Sequence, residues 1–340
     1  MTAPSQQAAY SLGVQSDIST QATTLITGLK TRSNVPGPTW DTNEPGVEHP
    51  GPVVRNTVRR SPTERTGYVA PFGSTGLLYP RLFPVQLTGA GFAITTADNT
   101  THYTHTANIA LADALSYLTC IYQATGEEWK RAITGGRLTS LQVTADPQAD
   151  ISVTDEGIGI VMKAVTGTPA FVDEEPIRIK ATKGLATLNI NGESLANLPM
   201  RGFTWNAAQE LDDQDFRLFT STRADLPQNS IDVTGEVQQL DLDKDQYQLI
   251  QNAAIGNTDP SLITAQGDLA FKFESAQNIA GATVPYSVQF VINAAEFAMS
   301  EFPADGNSLM RFALTYQLLD APGGPAQPAQ VIIVNDVAGY

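Results

Sequence analysis

The chain has 340 residues, 41% hydrophobic and only 16% charged, with a formal net charge of −15. That apolar content is enough for real cores and excludes a disordered chain, and the length fits two ordinary domains. The acidic balance argues against holding DNA or RNA by phosphate neutralisation, and a single cysteine, Cys120, excludes an intrachain disulfide.

The charge is uneven. Residues 1–168 carry 13 carboxylates against 11 cations, whereas 169–340 carry 22 against 9, an excess of −13. A surface so sparing in charge is either covered by neighbours in an assembly or is a plain Thr/Ser/Gln-rich β surface. Leu118 and Ile121 flank Cys120, which therefore reads as a buried structural thiol. No apolar run approaches the ~20 residues of a membrane-spanning helix. The first residues have no basic region followed by an apolar core, so a signal peptide is not expected and synthesis in a cytoplasm is.

Residues 1–30 begin polar, and 21–29 carry Leu25, Ile26 and Leu29, enough for a short strand or a helical turn. Residues 33–52 hold Pro36, Pro38, Pro45, Pro50 and Pro52, which reads as an extended arm or long loop. Residues 53–65 predict a strand interrupted by Arg55, Arg59, Arg60 and Arg65, resumed at 67–70. The apolar segment 73–87 contains Pro80 and Pro84 and predicts a short helix broken there. Residues 92–95 and 102–105 predict strands around an Asp98-Asn99 turn.

Residues 115–122 read as a strand although Ala112 to Leu115 favour helix, and 128–133 as another strand, turned by Gly135-Gly136. Residues 136–157 predict a hairpin with one buried face: Leu138, Leu141 and Val143 precede a turn at Asp146-Pro147, and Ile151 and Val153 alternate with polar residues after it. After a linker at 166–175, residues 177–180 and 185–190 predict a hairpin across Lys183-Gly184, ended by an Asn191-Gly192 turn. Phe203 to Trp205 open a second domain, followed by an acidic loop with Glu210, Asp212, Asp213 and Asp215, and a strand at 231–237. Residues 241–254 are the best helix, with Leu242, Gln246, Leu249, Ile250 and Ala253 on one face. Strands follow at 269–274 and 284–292, then a second hairpin from 296–299 to 309–318, and a last strand at 330–335. Similar hairpins, one per half, suggest a duplicated unit.

No motif nominates an enzyme. His102 and His105 are three apart, so on a strand they face opposite sides and read as exposed histidines, not metal ligands. Asp241, Asp243 and Asp245 begin like a calcium loop, but Gln246 stands where the turn needs Gly and Asn252 where the loop needs Glu. Gly89-Ala90-Gly91 lacks the third glycine of a dinucleotide loop. No catalytic residue, cofactor or metal is expected. The basic cluster of Arg55, Arg59, Arg60 and Arg65 follows an arm that can reach outward, and reads either as a solvated charge run or as a contact between subunits or rings. Glu210, Asp212, Asp213 and Asp215 are its candidate acidic partner.

Three features resemble the siphophage tail tube proteins whose chains carry two tandem tube domains. They are the arginine-rich arm running into Gly-Tyr-Val-Ala-Pro-Phe-Gly at 67–73, the run through Tyr103, Leu115 and the Gly136-Arg-Leu-Thr-Ser-Leu segment, and the repeated layout of strands, apolar or helical segment and hairpin. The resemblance covers roughly residues 50–340. It implies an all-β protein with minor helix: an arm at 1–52, a first β-sandwich or half-barrel domain at 53–168, and a second at 169–340 with a linker hairpin at 177–190. It implies self-assembly, three chains to a pseudo-six-fold ring, and rings stacked into a virion tail tube assembled in the host cytoplasm. The other partners it implies are the tape measure, the tail terminator and the distal tail protein. DNA would pass through without specific binding, and no membrane is involved. The alternative is a secreted or surface-displayed β-sandwich binding or adhesion module. Only Trp40, Trp129 and Trp205, widely spaced, would serve the exposed aromatic sites a carbohydrate binder needs.

Overall fold

The computed structural model describes residues 9–28, 39–43, 64–110, 115–123, 130–147, 149–173, 177–195, 200–212, 224–240, 242, 244–252, 256, 264–299, 312–319 and 327–340. Within them the chain forms nineteen strands and two short helices, so it is mostly β. In order these are β1 (Ala9–Gln15), β2 (Thr24–Gly28), β3 (Thr39–Asn43), β4 (Glu64–Leu77), α1 (Phe83–Gly89), β5 (Phe92–Asp98), β6 (Tyr103–Ile109), β7 (Tyr117–Gln123), β8 (Lys130–Ala145), β9 (Ser152–Gly159), β10 (Val161–Ala164) and β11 (Ala170–Asp173). The second half continues with β12 (Ile179–Ile190), β13 (Glu193–Ser194), β14 (Gly202–Leu211), β15 (Gln228–Leu240), α2 (Lys244–Asn252), β16 (Ala265–Asn278), β17 (Pro285–Met299), β18 (Phe312–Leu318) and β19 (Ala329–Asn335).

Two long strands organise the ladders. The first part of β8 pairs with β7, which leads through β1 and β2 to β11; its second part pairs with β9 on one edge and β14 on the other. The first part of β17 pairs with β19, which leads through β6 to β5; its second part pairs with β18, while β16 runs along its other edge and carries β12. The pairing plan of β4, β9 and β8 thus recurs in β15, β18 and β17. The result is a curled half-barrel sheet.

Burial explains the curl. Along β14, Phe203, Trp205, Ala207 and Gln209 are buried while the residues between them are not. The buried row meets residues from both halves. Phe203 stacks on Phe271 with ring centroids 4.2 Å apart, Trp205 lies 5.2 Å from Phe290 and 6.0 Å from Phe92, and Phe83 of α1 lies 6.0 Å from Phe290. Each fully buried large side chain contributes about 1.5–3 kcal/mol relative to exposure, so this shared cluster ties residues 83–92 to 203–290.

Several sequence expectations are corrected. Pro84 does not break α1; it stands in the first turn, where a missing N–H has no partner to lose. Gly135-Gly136 does not turn the chain, and β8 runs straight through as 16 residues. A register shift against β7 between Leu118 and Cys120 takes up the irregularity. No hairpin forms across Lys183-Gly184: β12 is one strand, and both of its parts pair with β16, the extra residues being absorbed as a bulge between Lys180 and Gly184. The Asn191-Gly192 turn does form, with φ of 50° and 84°, and pairs β12 with β13. The expected helix at 241–254 is described over Lys244–Asn252, with Leu249 and Ile250 buried. His105 is not exposed but fully buried, because β6 lies between β5 and β19 and the Tyr340 ring packs edge-on 5.0 Å from it. Cys120 is buried, as its neighbours suggest. No described helix is long and apolar enough to cross a membrane.

Candidate assembly surface

The curled sheet carries its chemistry on the face turned away from the core. Directly opposed residues trace one row across eight strands: Thr75, Thr154, Gln142, Asn206, Thr234, Gln317, Glu296 and Gln266, in β4, β9, β8, β14, β15, β18, β17 and β16. The next row over the same strands is Gly76, Val153, Val143, Trp205, Gly235, Tyr316, Phe297 and Ala265, and it points into the core. Alternation of period two therefore holds in register over the whole arc, giving one wet face and one dry face.

The wet face is polar and contains no cation in these rows. The row beginning Ser152 continues through Thr144, Thr204, Glu236, Thr315 and Ala298. The row beginning Glu156 continues through Ser140, Ala208 and Asp232. The charges are carboxylates alone: Glu156, Asp232, Glu236 and Glu296. The sheet bends around a concavity of about 760 Å³ bounded by Gln142, Asn206, Thr234, Glu296 and Gln317.

One close packing device holds this bend. Tyr316 lies beneath Gly235, and its hydroxyl crosses to donate to the Thr204 carbonyl at 2.8 Å. A Cβ on Gly235 would stand 2.2 Å from the Thr204 oxygen and 2.3 Å from the Tyr316 hydroxyl, so only glycine admits the ring. Burial pushes the phenol well above its ordinary value, which keeps it a neutral donor.

The residues singled out for docking fare unequally. Arg55, Arg59 and Arg60, with Asp213 and Asp215, lie outside the described residues. Arg65 belongs to β4, its backbone opposite Thr42 of β3. Glu210 is exposed at the end of β14, where its carboxylate accepts from the Ser230 hydroxyl at 3.1 Å, and Asp212 follows, its N–H donating to the Pro227 carbonyl at 2.8 Å. The sequence reading missed the eight-residue polar row. Its signal is the Thr, Asn and Gln alternating with apolar residues in each strand, but register alone makes them one surface.

No protein-family model and no curated protein matches the chain.

Proposed function

We propose that this chain is a structural protein that self-assembles into rings and tubes of the siphophage tail type, with the polar row as the lining of the lumen. The single observation that carries the reading is the eight-strand arc, curled, with core on one face and polar rows free of cations on the other. Within one chain, β8 hands the ladder to β14 through six opposed pairs, from Ser140 opposite Ala208 to Ala145 opposite Phe203. A junction of the same kind between copies would extend the arc until it closes, satisfying strand edges that otherwise invite aggregation. A lining of amides, hydroxyls and carboxylates offers DNA no phosphate partner, so a duplex would move along it without being held. The rings would belong to a virion tail and meet other tail proteins at its ends.

Electron microscopy of the purified protein in negative stain, over a range of concentrations, tests this directly. Rings or tubes with an open channel are expected. A protein that remains monomeric at every concentration overturns the reading.

A further inference from the structure

A second surface lies where β12 meets the start of β14. A groove of about 490 Å³ is floored by Phe203, Phe271 and Phe273, with Ala145, Ala186 and Met200 on its walls. Leu185 stands at its lip, 67% exposed. The second edge of β12 from Gly184 to Thr187 has no ladder partner among the described residues. Arg201 and Lys272 line the groove beside Asp146, and among the described residues Lys180 and Lys183 flank it together with Glu274 and Asp150. Glu274 is shared, 2.9 Å from Lys272 and 3.9 Å from Lys183, which leaves a local positive excess on a chain of charge −15.

The far end of the same strand has the opposite character. Glu210 and Asp212 close β14, flanking the half-buried Leu211; Asp232 stands opposite Ala208, and Asp225 lies just before β15. Among the described residues of 200–240 the only cation is Arg201, at the groove end. Ten residues of strand separate the two ends by about 30 Å.

We propose that copies of this chain stack head to tail, the Glu210–Leu211–Asp212 end of one copy entering the groove under Leu185 of the next. The inference rests on the assembly reading above and names the surfaces that turn rings into a tube. A second copy is the occupant because both halves of the contact sit on one chain, at opposite ends of one strand. One translation along that strand satisfies both in every copy. Such a contact is heterologous and does not close, so it generates a filament. The opposed charges set register and speed encounter, and the groove supplies the apolar burial.

The test uses two double variants, Lys183→Glu with Arg201→Glu, and Glu210→Lys with Asp232→Lys, plus Leu185→Ser. Far-UV circular dichroism establishes that each is folded. Sedimentation velocity and negative-stain microscopy then follow ring formation and lengthening separately at several salt concentrations. Each double variant is expected to form rings but to need about tenfold more protein to lengthen. Leu185→Ser should lengthen poorly without a change in salt response. Mixing the two double variants should restore lengthening, because each groove then meets an end of opposite sign. If all variants lengthen at wild-type concentration and salt dependence, the stacking contact is wrong while the ring reading stands. If the wild type forms no ring, both fall.

Discussion

Arg81 and Asp336, 255 residues apart, form a two-pronged ion pair: Nε donates to Oδ1 at 2.8 Å and Nη2 to Oδ2 at 2.5 Å. The contact fastens the chain leading into α1 to the segment after β19, and the Tyr286 hydroxyl donates to the same carboxylate at 3.2 Å. The arginine side chain is only 14% exposed and the aspartate 28%, so the pair is screened less than a surface one.

Asp336→Asn should therefore lower stability at neutral pH by about 1–2 kcal/mol. The Arg81 hydrogen bonds hold the carboxyl below its ordinary 3.8. The sign follows: the contribution is full above that value and is lost as pH falls through the lower folded value. Urea unfolding at pH 7 should separate variant from wild type, and the gap should shrink steadily as the pH is lowered below about 4.

Asp155 is a fully buried carboxylate that accepts from the Tyr10 hydroxyl, the Ser74 N–H and hydroxyl, and the Gln86 amide, at 2.5–3.1 Å. It joins β1, β4, α1 and β9. Asp155→Ala removes every acceptor and strands buried donors, so a loss of about 3–5 kcal/mol is expected. Asp155→Asn keeps one acceptor oxygen and should cost less. Thermal denaturation of the two variants gives the order; equal stability of Asp155→Ala and wild type would sink the idea.

His105 is held as the neutral Nε2–H tautomer. The Asn335 amide donates to the Pro80 carbonyl and the Tyr340 hydroxyl, so its oxygen must accept from Nε2, and Nδ1 accepts from the Thr96 hydroxyl. Burial pushes the imidazole below its ordinary 6.5. The unfolded chain then takes up the proton first, so this group's contribution is full above 6.5 and declines as pH falls through the folded value. His105→Gln should lack this component: the stability difference between wild type and variant should narrow or reverse between pH 7 and pH 5, read by denaturant titration.

Gly235→Val forces a branched side chain into the space of the Tyr316 ring and should destabilise by about 1–3 kcal/mol. Gly339, where an added Cβ meets nothing within 4 Å, is the control, and its change to Ala should stay within about 0.5 kcal/mol. Comparable losses at both positions would show that the close approach at Gly235 has no energetic weight.

The polar row makes a prediction about nucleic acid. Gln142→Lys, Asn206→Lys and Gln317→Lys together should leave the fold intact, since all three side chains face away from the core. The triple variant should acquire saturable duplex DNA binding with a steep salt dependence, and the wild type should show none. Fluorescence anisotropy at several salt concentrations reads both; binding by the wild type with that slope would contradict a non-holding lumen.

Sequence alone determined what local patterning controls. The alternation of Leu141 and Val143, then Ile151 and Val153, around Asp146-Pro147 announces the β8–β9 hairpin. The Asn191-Gly192 pair announces its turn, because only residues that tolerate positive φ make it. The helical spacing of Leu249 and Ile250 announces α2. Only the tertiary structure decided the rest. A bulge and a hairpin share the same local residues at Lys183-Gly184, and the long-range partner β16 chose between them. The burial of His105 depends on β19, whose Asn335 lies 230 residues away. The eight-residue polar row is a property of register across eight strands, and a shift of one residue in any of them would have turned its side chain into the core.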